Sequence, residues 1–158
     1  MLLKLDCYLS DRAGVESNCD MTSFFEHQRT SFKRSYLKNL ILLAAVDGQM
    51  DDKELKLLYK IGKRRGLKEW QVIGILADNS PHELFIPDSM SSRMNLLYDF
   101  MEIVYADGHV NEREMYFINK TITAFNLPSK VSSELLMMFS RGTPSITEWA
   151  NFSNAMLV

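Results

Sequence analysis

The sequence predicts an all-α protein, an internally duplicated helical bundle with extra helices at its ends. Three observations carry this. Apolar residues recur at three- and four-residue steps along most of the chain, and no useful stretch alternates with period two. Helix stop and start signals fall between those stretches at regular places. One pattern also occurs twice, sixty positions apart: Ala45-Val46-Asp47-Gly48-Gln49-Met50-Asp51-Asp52-Lys53-Glu54 and Tyr105-Ala106-Asp107-Gly108-His109-Val110-Asn111-Glu112-Arg113-Glu114. The register holds without a gap on both sides, pairing Leu37 with Leu97, Lys60 with Lys120, Leu67 with Leu127 and Leu76 with Leu136.

Up to about Met21 there is no clear period, and Asp11-Arg12-Ala13-Gly14 and Ser17-Asn18 read as turns. A helix is expected from about Thr22, becoming plainly periodic from Phe32 or Ser35 through Leu37, Leu40, Ile41, Ala44 and Ala45. Gly48 stops it, because glycine accepts the left-handed conformation at a helix C-terminus. Asp51 with Glu54 three residues on is the Asp form of a capping box and opens a second helix, with a core stripe of Leu55, Leu58, Ile61 and Gly62. Gly66-Leu67 ends it. A third helix runs from Lys68 to about Ala77 with Trp70, Val72, Ile73 and Leu76. Asp78-Asn79-Ser80-Pro81 and Pro87-Asp88-Ser89 are turns, and His82–Ile86 between them is a short helical turn or an extended bridge.

The second unit repeats the plan. Met94, Leu97, Tyr98, Met101 and Val104 form a stripe that ends at Gly108. Asn111 caps the next helix, Glu114 takes the box position, and Met115, Ile118, Ile122 and Phe125 face inward. Asn126-Leu127-Pro128 repeats the role of Gly66-Leu67, with Pro128 suited to the first position of the following helix, whose main body is Ser132–Ser140. Gly142-Thr143-Pro144 breaks that helix, and Ser145 caps a last one through Trp149, Phe152 and Met156. The repeats occupy about residues 33–78 and 92–140 of a single domain spanning 1–158. Ten methionines suit a helical core with irregular gaps.

Composition excludes several classes. A net charge of −2 marks neither a nucleic-acid binder nor an acidic tail, although Lys33–Glu69 holds ten Lys/Arg against five Asp/Glu, a local +5 against about −7 elsewhere. Within it, Lys56, Lys60, Lys63, Arg64, Arg65 and Lys68 make a basic strip, with Lys56, Lys60, Lys63 and Arg64 placed on a solvated face. Cys7 and Cys19 are too few for a disulfide scaffold and fit free thiols of a reducing cytosol. Charge interrupts the first apolar run too early for a signal peptide, and no stretch reaches membrane-spanning length, so a cytoplasmic location is expected. His27 and His82 lack metal-like spacing. No nucleophile signature or glycine-rich phosphate loop is present, and no enzymatic activity is expected.

The acidic corners are the candidate site. Asp47, Asp51, Asp52 and Glu54 cluster at one, with Asp107, Asn111, Glu112 and Glu114 at the other, and His109 adds a nitrogen; the candidate ligands are Asp47, Asp51, Glu54, Asp107, Asn111 and Glu114. Hard divalent cations need several oxygen ligands around one point. An EF-hand is excluded: counted from Asp47, loop positions six and twelve are Asp52 and Leu58, where glycine and a bidentate carboxylate are required. Capping alone is a complete account of Asp51, Glu54, Asn111 and Glu114. It accounts less well for Asp47 and Asp107, which stand at the unfavourable end of their helices. Capping and cation binding are both open on these residues.

The paired Ala/Val-Asp-Gly-x-Met/Val-Asp/Asn-x-x-Glu corners, each inside an apolar helix pair, resemble the TerB-like tellurite-resistance family over roughly Ser35–Leu136. The resemblance implies an all-helical fold with internal pseudo-symmetry. It also implies metal binding at positions matching Asp47, Glu54, Asp107 and Glu114, and a role in stress responses with membrane-associated complexes. Asn111 departs from an acidic position and weakens the second corner as a cation site. The resemblance sets the expectations: a stress-response module that binds a divalent cation (calcium, magnesium, manganese or zinc), has protein partners, and can join a complex at the membrane periphery. The rival expectation is a metal-free protein-interaction scaffold.

Overall fold

The structure is a computed structural model that describes residues 21–48 and 50–156. The readings made for Cys7, Cys19 and the turns before Met21 lie outside these residues. By their contacts the residues divide into two units, Met1–Ser31 and Phe32–Val158, the second of which holds the core and both corners.

Among the described residues the secondary structure is entirely helical: α1 (Met21–Ala44), α2 (Asp52–Arg64), α3 (Glu69–Leu76), α4 (Met90–Val104), α5 (Glu112–Ala124), α6 (Lys130–Phe139) and α7 (Ile146–Ala155). No helix among them is long and apolar enough to cross a membrane.

In the second unit, α4 is the axis of the core. The periodicity predicts one stripe on it. Met94, Leu96, Leu97, Phe100, Met101, Ile103 and Val104 are all buried, however, so α4 is covered nearly all round. Around it stand Leu37, Leu40 and Leu43 of α1, Leu58 and Ile61 of α2, Ile118 and Ile122 of α5, and Val131, Leu135 and Phe139 of α6. Helix α2 packs on α3 and α4, and α5 packs on α4 and α6. Gly62 lets α2 approach its neighbours closely: a Cβ there would lie 2.9 Å from Val72 and 3.4 Å from Leu37.

The two helix exits match. Leu67 N–H donates to Gly62 O and Leu127 N–H to Ile122 O, both at 3.0 Å. The intervening residue is left-handed in each case, Gly66 at φ 83° and Asn126 at φ 58°. The connector from Ala77 to Ser89 contains no helix, and α1 holds it in place. The Asn39 amide donates to Phe85 O at 2.7 Å and accepts from Phe85 N–H at 2.8 Å, with His82 Nε2 3.1 Å from the same oxygen. Asn39 thereby satisfies part-buried backbone that the loop does not satisfy itself. At the other end, Trp149 of α7 packs edge-on to Tyr98 and Phe139.

Three expectations need correction. Leu55 is 43 % exposed rather than in the core, because α3 and α4 cover α2 from the Leu58–Ile61 side. Arg64, read as part of a solvated face, is exposed but also reaches Asp99 of α4 together with Arg65, a contact the pattern does not show. Pro128 precedes the sixth helix by two residues rather than occupying its first position.

Candidate functional site

Each corner is built by local hydrogen bonds. Gly48 (φ 86°) and Gly108 (φ 82°) close the turns after α1 and α4, their N–H groups donating to Ala45 O and Tyr105 O. At the first corner Glu54 N–H donates to Asp51 Oδ1 at 2.7 Å, and Asp51 N–H donates back to Glu54 Oε2 at 2.8 Å. At the second, Glu114 N–H donates to Asn111 Oδ1 at 2.8 Å and Asn111 N–H to Glu114 Oε2 at 3.0 Å. Both are complete capping boxes, each cap worth about 1 kcal/mol. Asp107 Oδ1 accepts from His109 N–H at 2.8 Å and so tightens its own turn. The His109 ring lies back on the Asp107 carbonyl, Nδ1 to O at 3.3 Å.

Asp47 makes a different bond. Its Oδ2 accepts from the side-chain amide of Asn111, across 64 positions of sequence. The two corners therefore touch. Among the described residues, no ion pair includes Asp47, Glu54, Asp107 or Glu114. Arg113 shares a shallow cleft with Asp47, Asn111 and Glu112.

The electrostatics follow from this placement. Glu114 is only 6 % exposed. Burial pushes its carboxyl above the usual range; the Asn111 N–H opposes the shift, and Asp47, Asp107 and Glu54 add to it. Glu54 is raised in the same way, by burial first, against its bond from Asp51 N–H, and then by Asp51, Asp107 and Asp47. Each glutamate thus feels the acids of the other corner. The donor set of carboxylates and one amide oxygen fits calcium, magnesium or manganese better than zinc, which favours nitrogen and sulfur. The fit is incomplete as built: no group of three or more His, Cys, Asp or Glu stands close enough to hold a metal ion among the described residues. The caps already engage one oxygen each of Asp51, Glu54, Asn111 and Glu114. A bound ion would share these carboxylates with the helix ends.

A second charged cluster had no signal in the sequence beyond two carboxylates, Asp99 and Glu102, inside an apolar helix. Asp99 of α4 is fully buried. Its oxygens accept from Arg65 Nε and Nη2, both at 2.8 Å, from Arg64 Nη2 at 2.7 Å and from Tyr36 Oη at 2.8 Å. Arg64 also pairs with Glu102. Burial and the adjacent Asp99 carboxylate hold the Tyr36 phenol well above its ordinary value, so it stays a donor. This cluster ties α1, the end of α2 and α4 together.

The chain matches no family model, no curated protein and no solved structure.

Proposed function

We propose that this chain is a TerB-like helical module of a stress response, built from two copies of a helix–corner–helix–helix unit. Its two acidic corners together form one weak site for a hard divalent cation. The observation that carries the reading is the meeting of the corners: Asn111 bonds Asp47, and the nearly buried Glu114 feels Glu54, Asp47 and Asp107 while making no ion pair among the described residues. A carboxylate held in this way lacks the counter-charge that burial calls for, and a cation between the corners would supply it. The matching capping boxes and helix exits sixty residues apart support the duplication.

Thermal melts of the metal-free protein, with and without calcium, magnesium, manganese or zinc, test the site. Calcium, magnesium or manganese at about a hundred times its dissociation constant should stabilise the fold by roughly 2.7 kcal/mol, a shift of several degrees. In Asp47→Asn/Asp107→Asn, which keeps both hydrogen-bond acceptors, the shift should vanish. An absent shift, or an equal one in the variant, overturns the reading.

A metal-free protein-interaction scaffold is the second reading. What favours it is the exposure of Trp70 and Ile73 on α3. Its protein partners would bind equally well in the presence of a chelator.

A further inference from the structure

Helix α3 carries one charge, Glu69, in eight residues. A helix that apolar is normally enclosed. Here Val72 and Ile75 are buried, yet Trp70 is 69 % and Ile73 54 % exposed, and Gly74 and Ala77 are exposed beside them. These four residues form one stripe at helical spacing. Leu55, Tyr59, Ile73, Leu76 and Ala77 then line a groove between α2 and α3, with Lys56 on its rim.

Gly74 adds to this. An interior helix glycine weakens its helix relative to alanine. Gly62 has a reason within the fold, as its Cβ would strike Val72. At Gly74 a Cβ would meet nothing within 4 Å, so nothing among the described residues requires the glycine. It leaves a place where another backbone can come close.

Charge narrows the occupant. Lys56, Lys60 and Lys63 are exposed along the flank of α2 next to Leu55 and Tyr59. Among the residues that line the groove the charge is carried by Lys56, and with Lys60 and Lys63 exposed on the same helix this flank is positive. A second copy using the same face would set these lysines against themselves. A flat lipid surface would not fill a groove between two helices, whereas the ridge of a third helix does.

We infer that the α2–α3 groove is a docking site for an amphipathic helix of a partner protein, apolar on one ridge and rich in Asp and Glu on its flank. This rests on the scaffold reading and is independent of the acidic corners. The test is a displayed library of 18-residue helical peptides with randomised ridge and flank, selected against the full chain. Enrichment of Leu/Ile/Phe at i, i+3, i+4 and i+7 with acidic flanks is expected. The affinity of the enriched peptide should fall at least tenfold in Ile73→Glu and severalfold in Lys56→Glu/Lys60→Glu. Gly74→Ala should raise the melting temperature by roughly 2–4 °C while weakening the peptide. Binders that survive Ile73→Glu would keep a scaffold but remove this surface. Basic or neutral flanks, or no enrichment, overturn the proposal. So does capture by phosphatidylcholine–phosphatidylglycerol vesicles that Ile73→Glu abolishes. A melting temperature lowered by several degrees in Ile73→Glu would mean that the chain itself covers the face, and the proposal falls.

Discussion

Asp99 and Glu114 are both carboxylates withdrawn from water, and the fold treats them differently. Asp99 receives two guanidinium groups and a phenol, all from helices distant in sequence. Glu114 receives one backbone N–H at its carboxylate and the repulsion of three other acids. A buried charge completed by the protein is a structural tie. One left without an ion pair holds free energy that a ligand or a proton can release. The difference separates a charge that the fold pairs from one that it leaves without an ion pair among the described residues.

The largest break in this comparison is Asp99→Ala. It strands two partly buried arginines and should cost about 3–5 kcal/mol, read as a lower urea midpoint. A loss under 1 kcal/mol would mean that Arg64 and Arg65 find water easily and the tie is weak.

Substitutions at Glu114 come next and sharpen the contrast. Glu114→Ala removes the capping acceptor and should cost about 1 kcal/mol. Glu114→Gln keeps the acceptor and removes the charge, so it should raise the melting temperature of the metal-free protein at neutral pH. The pH dependence gives an independent reading. Glu54 and Glu114 have folded values above their unfolded ones, so their strain is fully present above the folded value. It is relieved as pH falls through that value. Asp78, paired with Lys38 and Arg34, is lowered instead. Its stabilisation is present above the ordinary carboxylate range and is lost as pH falls through the folded value. Denaturant melts at pH 7 and pH 5 should therefore show the wild type gaining from the glutamates. The double variant Glu54→Gln/Glu114→Gln should lose that gain.

The smallest effect is expected from Asn111→Asp. Aspartate still caps α5, but it can no longer donate to Asp47, and it sets acid against acid. The metal-free protein should lose about 0.5–1 kcal/mol, and calcium should restore it. Loss without restoration in a calorimetric melt would weaken the cation reading specifically.

What was legible in the sequence was local. Asp51 with Glu54, and Asn111 with Glu114, bond within three residues, so spacing alone places them. The helices and the left-handed turns at Gly48 and Gly108 follow for the same reason. What could not be read depends on distant chain. Asp99 meets Tyr36 across 63 positions, Arg64 across 35 and Arg65 across 34. Leu55 was misplaced because periodicity shows which residues share a face, not which face a neighbour covers. Of the two residues that capping explains least, Asp107 bonds within its own turn, and Asp47 finds its partner 64 positions away.

Asn111 carries a consequence for the junction where the two corners meet. One end of its amide accepts for the cap and the other donates across to Asp47. A carboxylate can do only the first. Two corners with identical acids would push each other apart, whereas one amide gives the junction a donor side and an acceptor side. The amide at Asn111 therefore sets a direction on the junction, which two facing carboxylates would leave without one.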